Sequence, residues 1–174
     1  MQQATGLRPT HEKLLNGLKS LKVPPHLRDH MRNMLLGRII CGSYWNNIHG
    51  YESRAFCSIC KKRKSIEVIE SEQHIWLECE NNGQSAAWEI ARTIWEKTTP
   101  RPWPNISLGL IRGAAALSFE NDYSKDSERL RILISMTIWT IGGRRETSQR
   151  ALRVLWAEDR FVRFDLKKGP ITEF

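Results

Sequence analysis

Long hydrophobic runs are missing from this 174-residue chain. A membrane-spanning helix needs about 20 consecutive apolar residues, and charged residues interrupt every candidate stretch, so no span is expected. The opening segment from Met1 to Pro25 has no apolar h-region, so no secretory leader is expected either. An intracellular setting, nuclear or cytoplasmic, follows as the expectation. Cysteine is sparse: four residues in a chain of this kind favour metal ligation or plain thiols over a disulfide framework. Internal repeats and long low-complexity tracts are absent. Alternating strand patterns are scarce too, beyond a short pair around the cysteine segment.

Charge and tryptophan are present in quantity. Lys and Arg number 27 against 19 Asp and Glu, a net charge of +8. The excess is uneven: residues 1–64 carry 12 basic and 3 acidic groups, residues 65–128 carry 5 and 11, and residues 129–174 carry 10 and 5. Basic ends around an acidic middle suit contact with a polyanion, most commonly nucleic acid. Lys- and Arg-rich solvated helices are the plain alternative. The seven tryptophans point to a helical core or to aromatic docking surfaces.

The periodicity is helical. Residues 1–9 are polar and expected to fray. Thr10 can cap a helix carrying Leu14, Leu15, Leu18 and Leu21, which Val23-Pro24-Pro25 would end. A second helix from Pro25 would place Leu27, Met31, Met34, Leu35 and Ile39 on one face, with Gly42 as its stop. Residues 43–56 read as a packed aromatic loop. Ser85 can cap a helix bearing Trp88, Ala91, Ile94 and Trp95. Pro100, Pro102 and Pro104 impose extended chain around Trp103. A short apolar helix is expected over 106–117, around Leu108, Leu110 and Ile111. After a polar loop over 119–127, Ser127 can cap the most apolar helix, with Leu130, Leu133, Ile134, Met136, Ile138 and Ile141. Gly142-Gly143 would stop it. A basic helix from Thr147 to about Arg163 would turn Leu152, Leu155 and Trp156 inward. The expected architecture is mostly α: a small helical domain over 10–141 with a zinc-binding segment at 57–79 between helices, then a basic helix and tail over 142–174.

Cys57, Cys60, His74 and Cys79 form the pattern Cys-x2-Cys-x13-His-x4-Cys. Zinc favours four tetrahedral thiolate and imidazole ligands, and a Cys-x2-Cys turn offers two thiolates at a suitable separation. Ser71 can start a short helix that carries His74 towards Cys79. Residues five apart on an α-helix sit about 140° from one another, so His74 and Cys79 can share an ion only if the helix frays or ends first. Three thiolates and one imidazole would leave zinc about −1, which Lys61-Lys62-Arg63-Lys64 can balance. With all four positions filled by protein the site is structural, because a catalytic zinc keeps one position open. The competing view is of reduced structural cysteines beside an incidental histidine. Catalysis by Cys57 or Cys60 with His74 lacks an orienting third group, and the Glu and Pro-Cys-x-x-Cys of zinc deaminases are missing. Cys41, at a helix end, reads as a buried thiol. His11 and His26 fall on polar helix starts and His30 on the exposed side of its helix. His49 could support the zinc loop, with packing as its plainer role.

The run His26-Leu27-Arg28-Asp29, the segment from Gly42 to Arg54 with its Tyr44-Trp45 and Gly50-Tyr51-Glu52, and the Cys57/Cys60/His74/Cys79 set together resemble the zinc-binding segment that follows the ribonuclease H domain in polyproteins of non-LTR retrotransposons. Pro102-Trp103-Pro104, the following Ser107-Leu108-Gly109-Leu110-Ile111 and the pair Ile138-Trp139 are similar to forms from mushroom-forming fungi. The resemblance covers roughly residues 20–145. Neither the Asp-Asp motif of the polymerase nor the carboxylate set of ribonuclease H is present, so a non-catalytic fragment or free-standing derivative is expected. The resemblance implies help in binding the element's RNA or its target DNA. Candidate contacts are Arg54, Lys61, Lys62, Arg63 and Lys64, with Tyr44 and Trp45 as stacking groups. The rivals are a zinc-held protein-interaction module and a decayed element without nucleic-acid contact.

Overall fold

The helix boundaries follow local chemistry. The computed structural model describes residues 9–80, 83–119, 125–143, 164–165 and 169–170. The expected frayed start, all but Pro9, and the expected basic helix from Thr147 with Leu152, Leu155 and Trp156 lie outside them. Helix α1 (His11–Ser20) opens on Thr10, whose hydroxyl accepts from the Lys13 backbone N–H at 3.2 Å. Helix α2 (Pro25–Leu35) starts on proline, where a missing N–H costs nothing. It stops at Gly37, earlier than the expected Gly42. Gly37 has a φ of 63°, its N–H reaches Met34 O, and Arg38 N–H reaches Asn33 O at 2.8 Å, which together satisfy the last carbonyls.

The loop expected over 43–56 coils into two 3-10 turns, Gly42–Asn47 and Glu52–Ala55. Helix α3 (Ser58–Lys64) carries the basic run, and Ser65 in the left-handed region turns the chain back. A single antiparallel bridge, Phe56 with Ile69, is the short pair expected around the cysteines. Helix α4 (Gln84–Thr98) begins after Gly83, whose φ of 79° makes the entry turn, so Ser85 sits inside the helix and is not its cap. Helix α5 (Leu108–Gly113) is capped by Ser107 and runs into a 3-10 turn at Ala114–Ala116. Helix α6 (Asp126–Gly143) starts one residue before Ser127. The Ser127 hydroxyl is spent elsewhere, accepting from Phe119 N–H at 2.7 Å. A two-residue antiparallel pair joins Phe164–Asp165 to Gly169–Pro170.

Helix α6 is the centre of the core. Every residue from Ile132 to Ile138 is buried, so this helix is apolar around its whole girth. Its polar members stay satisfied: Ser135 and Thr137 each donate to the carbonyl four residues back at 2.7 Å. Helices α2 and α4 pack on it, with Met31, Met34, Ala91 and Trp95 buried. Two expectations about faces are corrected. Leu15 is 49% exposed, because α1 turns Gly17 and Leu18 inward instead. His30 is not on an exposed face: its ring lies edge-on to Trp76 and Trp139.

Candidate metal centre

Two strips of backbone bring the ligands together. Cys57 sits just before α3, and Cys60 falls in that helix's first turn. Cys57 N–H donates to Val68 O at 2.8 Å, and Glu70 N–H donates to Ala55 O at 2.8 Å. These bonds lay the Cys57 turn against the returning strand, which leads into the second pair. Ser71 caps that second element, its hydroxyl accepting from His74 N–H at 3.0 Å. The chain then widens into a π-type turn over His74–Glu78, in which Cys79 N–H reaches His74 O at 2.8 Å. Cys79 itself is extended. The five-residue spacing that an α-helix could not accommodate is met by an i to i+5 hydrogen bond.

All four side chains are buried, and their ligand atoms lie within 4.8 Å of one another. Cys57 Sγ is 3.8 Å from Cys79 Sγ, Cys60 Sγ is 3.7 Å from Cys79 Sγ, and Cys60 Sγ is 3.4 Å from His74 Nε2. A tetrahedral ion with bonds of about 2.3 Å to sulfur and about 2.05 Å to nitrogen has sulfur–sulfur edges of about 3.8 Å and sulfur–nitrogen edges of about 3.6 Å. Three of the edges are close to these values, and the donor set is compatible with one metal ion in chemistry. It does not fit a disulfide, whose sulfurs stand about 2.05 Å apart.

Burial shapes the protonation of these ligands. It pushes the Cys57 thiol up from its ordinary value, so a cation is needed to hold the sulfur ionised. It pushes His74 down, which favours the neutral imidazole that a metal requires. The same π-type turn anchors the site to the core: His74 faces the cysteines while Ile75 and Trp76 are buried in the main cluster. Arg112 of α5 adds an ion pair at 3.0 Å to Glu72, itself nearly buried.

The remaining expected residues separate into two groups. Tyr44, Trp45 and Arg54 come together on the 3-10 turns, with the Arg54 guanidinium 5.1 Å from the centre of the Trp45 ring. Tyr51, which is not among the expected contacts, stands 4.7 Å from the same guanidinium. Its signal was the three-residue spacing from Arg54. Lys61, Lys62, Arg63 and Lys64 are all exposed on α3. Lys61 pairs with Glu67 and Lys64 with Glu80, both at 2.7 Å, so carboxylates already engage this run. Cys41 is half-buried against the main core and outside the ligand cluster. His49 is fully exposed and faces Glu52 at 3.6 Å, so it does not support the metal site.

No family model, curated protein or solved structure matches this chain. No helix among the described residues is long and apolar enough to cross a membrane.

Proposed function

We propose that this chain is a non-catalytic, zinc-stabilised helical module that binds nucleic acid. The convergence of four buried ligand atoms within 4.8 Å carries the zinc half. Three sulfurs and one imidazole are a zinc donor set, and four protein ligands leave no position for a reacting water. The ion would clasp α3 to the π-type turn and thereby to the core. Metal analysis of the purified chain tests this. One equivalent of zinc should co-purify, and chelation should lower the helical circular dichroism signal. Metal-free protein with unchanged helicity would overturn it.

The nucleic-acid half is supported by the Arg54 guanidinium lying over Trp45 and Tyr51, with Tyr44 and Tyr51 about half exposed. Aromatic faces beside a cation are what unpaired bases and a phosphate backbone recognise together. The net charge of +8 and the resemblance to the retrotransposon zinc-binding segment point the same way. Fluorescence anisotropy with labelled single-stranded RNA and DNA at two salt concentrations is the test. Binding should weaken with salt, by about 0.7 log units per log unit of salt for each phosphate neutralised. Arg54→Ala should weaken it further. No affinity at low salt would refute this half.

A protein-interaction module is the second reading. It is favoured by the pairing of Lys61 and Lys64 with carboxylates and by the exposure of Leu36 and Ile40. A flat anisotropy titration with zinc in place would favour it.

A further inference from the structure

The four ligands are not equally enclosed. A pocket of 250 Å³ opens beside the site, lined by Cys60, His74, Lys64, Ile66, Val68, Glu78 and Glu80. Cys57 and Cys79 do not line it. Cys60 is thus the ligand cysteine that borders this pocket, and Cys79 Sγ stands 3.7 Å from its sulfur. Thiolate oxidation needs an approachable sulfur and, for a reversible product, a second sulfur within reach. Cys60 is buried but borders the pocket, and the second sulfur is within reach. The pocket walls carry two carboxylates, Glu78 and Glu80, against the one ammonium of Lys64, which is tied to Glu80 at 2.7 Å. That lining disfavours anionic oxidants and admits a neutral one.

We propose that Cys60 is an oxidation site for hydrogen peroxide, with Cys79 as the resolving thiol. This rests on the metal-centre reading, because both sulfurs belong to the same four-ligand cluster. The Cys60 thiolate attacks one peroxide oxygen. A sulfur–oxygen bond forms, the oxygen–oxygen bond breaks, and the departing hydroxide takes a proton to become water. The Cys79 thiolate then attacks the sulfenic sulfur. The disulfide forms, and a second hydroxide leaves and is protonated. The two sulfurs together lose two electrons, and the peroxide gains them. Cys57 and His74 alone cannot hold the ion as four ligands do, so oxidation releases it.

Zinc-loaded full-length chain treated with hydrogen peroxide tests this. Released zinc is followed with a colorimetric chelator, and disulfides are mapped by mass spectrometry after differential alkylation. One zinc should leave for each Cys60–Cys79 disulfide, and thiol reductant plus zinc should restore the starting state. A first product that links Cys57, or oxidation confined to Cys41 with zinc retained, would overturn the proposal. Ile66→Trp, which crowds the pocket without replacing a ligand, should slow zinc release about five-fold at unchanged zinc content. An unchanged rate would also overturn it. Failure of the metal reading is separately visible, since the chain would then carry no zinc before peroxide is added.

Discussion

Gly17 has no room for a side chain: a Cβ there would lie 2.0 Å from the backbone oxygen of Ala115. Its place is set by the close approach of α1 to the Ala114–Ala116 turn. Gly17→Ala should therefore destabilise by about 1–3 kcal/mol, even though alanine is the better helix former. Asn16→Ala, one position away and exposed, should be neutral or mildly stabilising. Equilibrium denaturation of the two variants decides between close packing and mere propensity. Asp126 is a second single residue with a large expected effect. It is 1% exposed and accepts from Arg101 at 3.0 Å and from Arg129 at 3.1 Å. Asp126→Ala removes the buried carboxylate that two guanidiniums share and should cost about 2–4 kcal/mol, read as a drop in the denaturant midpoint. His30 gives a pH dependence. Burial against Trp76 and Trp139 lowers its pKa, and its Nε2 has no hydrogen-bond partner among the described residues. The unfolded chain then takes up a proton at about pH 6.5 that the folded chain refuses, so stability is full above that value and falls as pH drops below it. His30→Phe should flatten part of that fall in zinc-saturated protein. A slope identical to the parent's would exclude His30 as its source.

At the scale of elements, the π-type turn His74–Glu78 joins two environments. One side of it supplies a ligand, and the other buries Ile75 and Trp76. The demand for such a break was readable in the five-residue spacing of His74 and Cys79. The form it took was not, because a widened turn is stable only where packing holds both of its sides. Deleting Leu77 would restore α-helical spacing between His74 and Cys79, place them four apart and rotate Trp76 relative to the ligands. We expect that variant to lose either zinc or the core contact of Trp76, seen as loss of co-purified metal or as a red shift in tryptophan fluorescence. The starts at Thr10 and Pro25 were legible because they act through chemistry local to the chain, whereas the helix expected from 106 begins at Leu108 on the Ser107 cap. The starts assigned to Ser85 and Ser127 were off because each serine had a competitor. Gly83 makes the turn into α4, and Phe119 claims the Ser127 hydroxyl.

On the scale of the whole molecule, the small cluster of Cys57, Ile59, Cys60 and Cys79 is separate from the main core built on α6. Metal removal should therefore act in two stages: loss of order around residues 57–79, then a lowered melting temperature for the helical body that depends on Trp76. Hydrogen exchange with and without chelator checks this, and uniform protection across the chain after chelation would contradict it. The amino-acid sequence by itself determined the mostly helical class and the four candidate ligands, because periodicity, caps and donor spacing all act over short separations. Only the tertiary structure decided which faces those helices bury. The reason is distance along the chain: Trp76 and Trp139 flank His30, Ala115 presses on Gly17, and Glu80 draws in Lys64. Each of those partners is invisible until the backbone has folded back on itself.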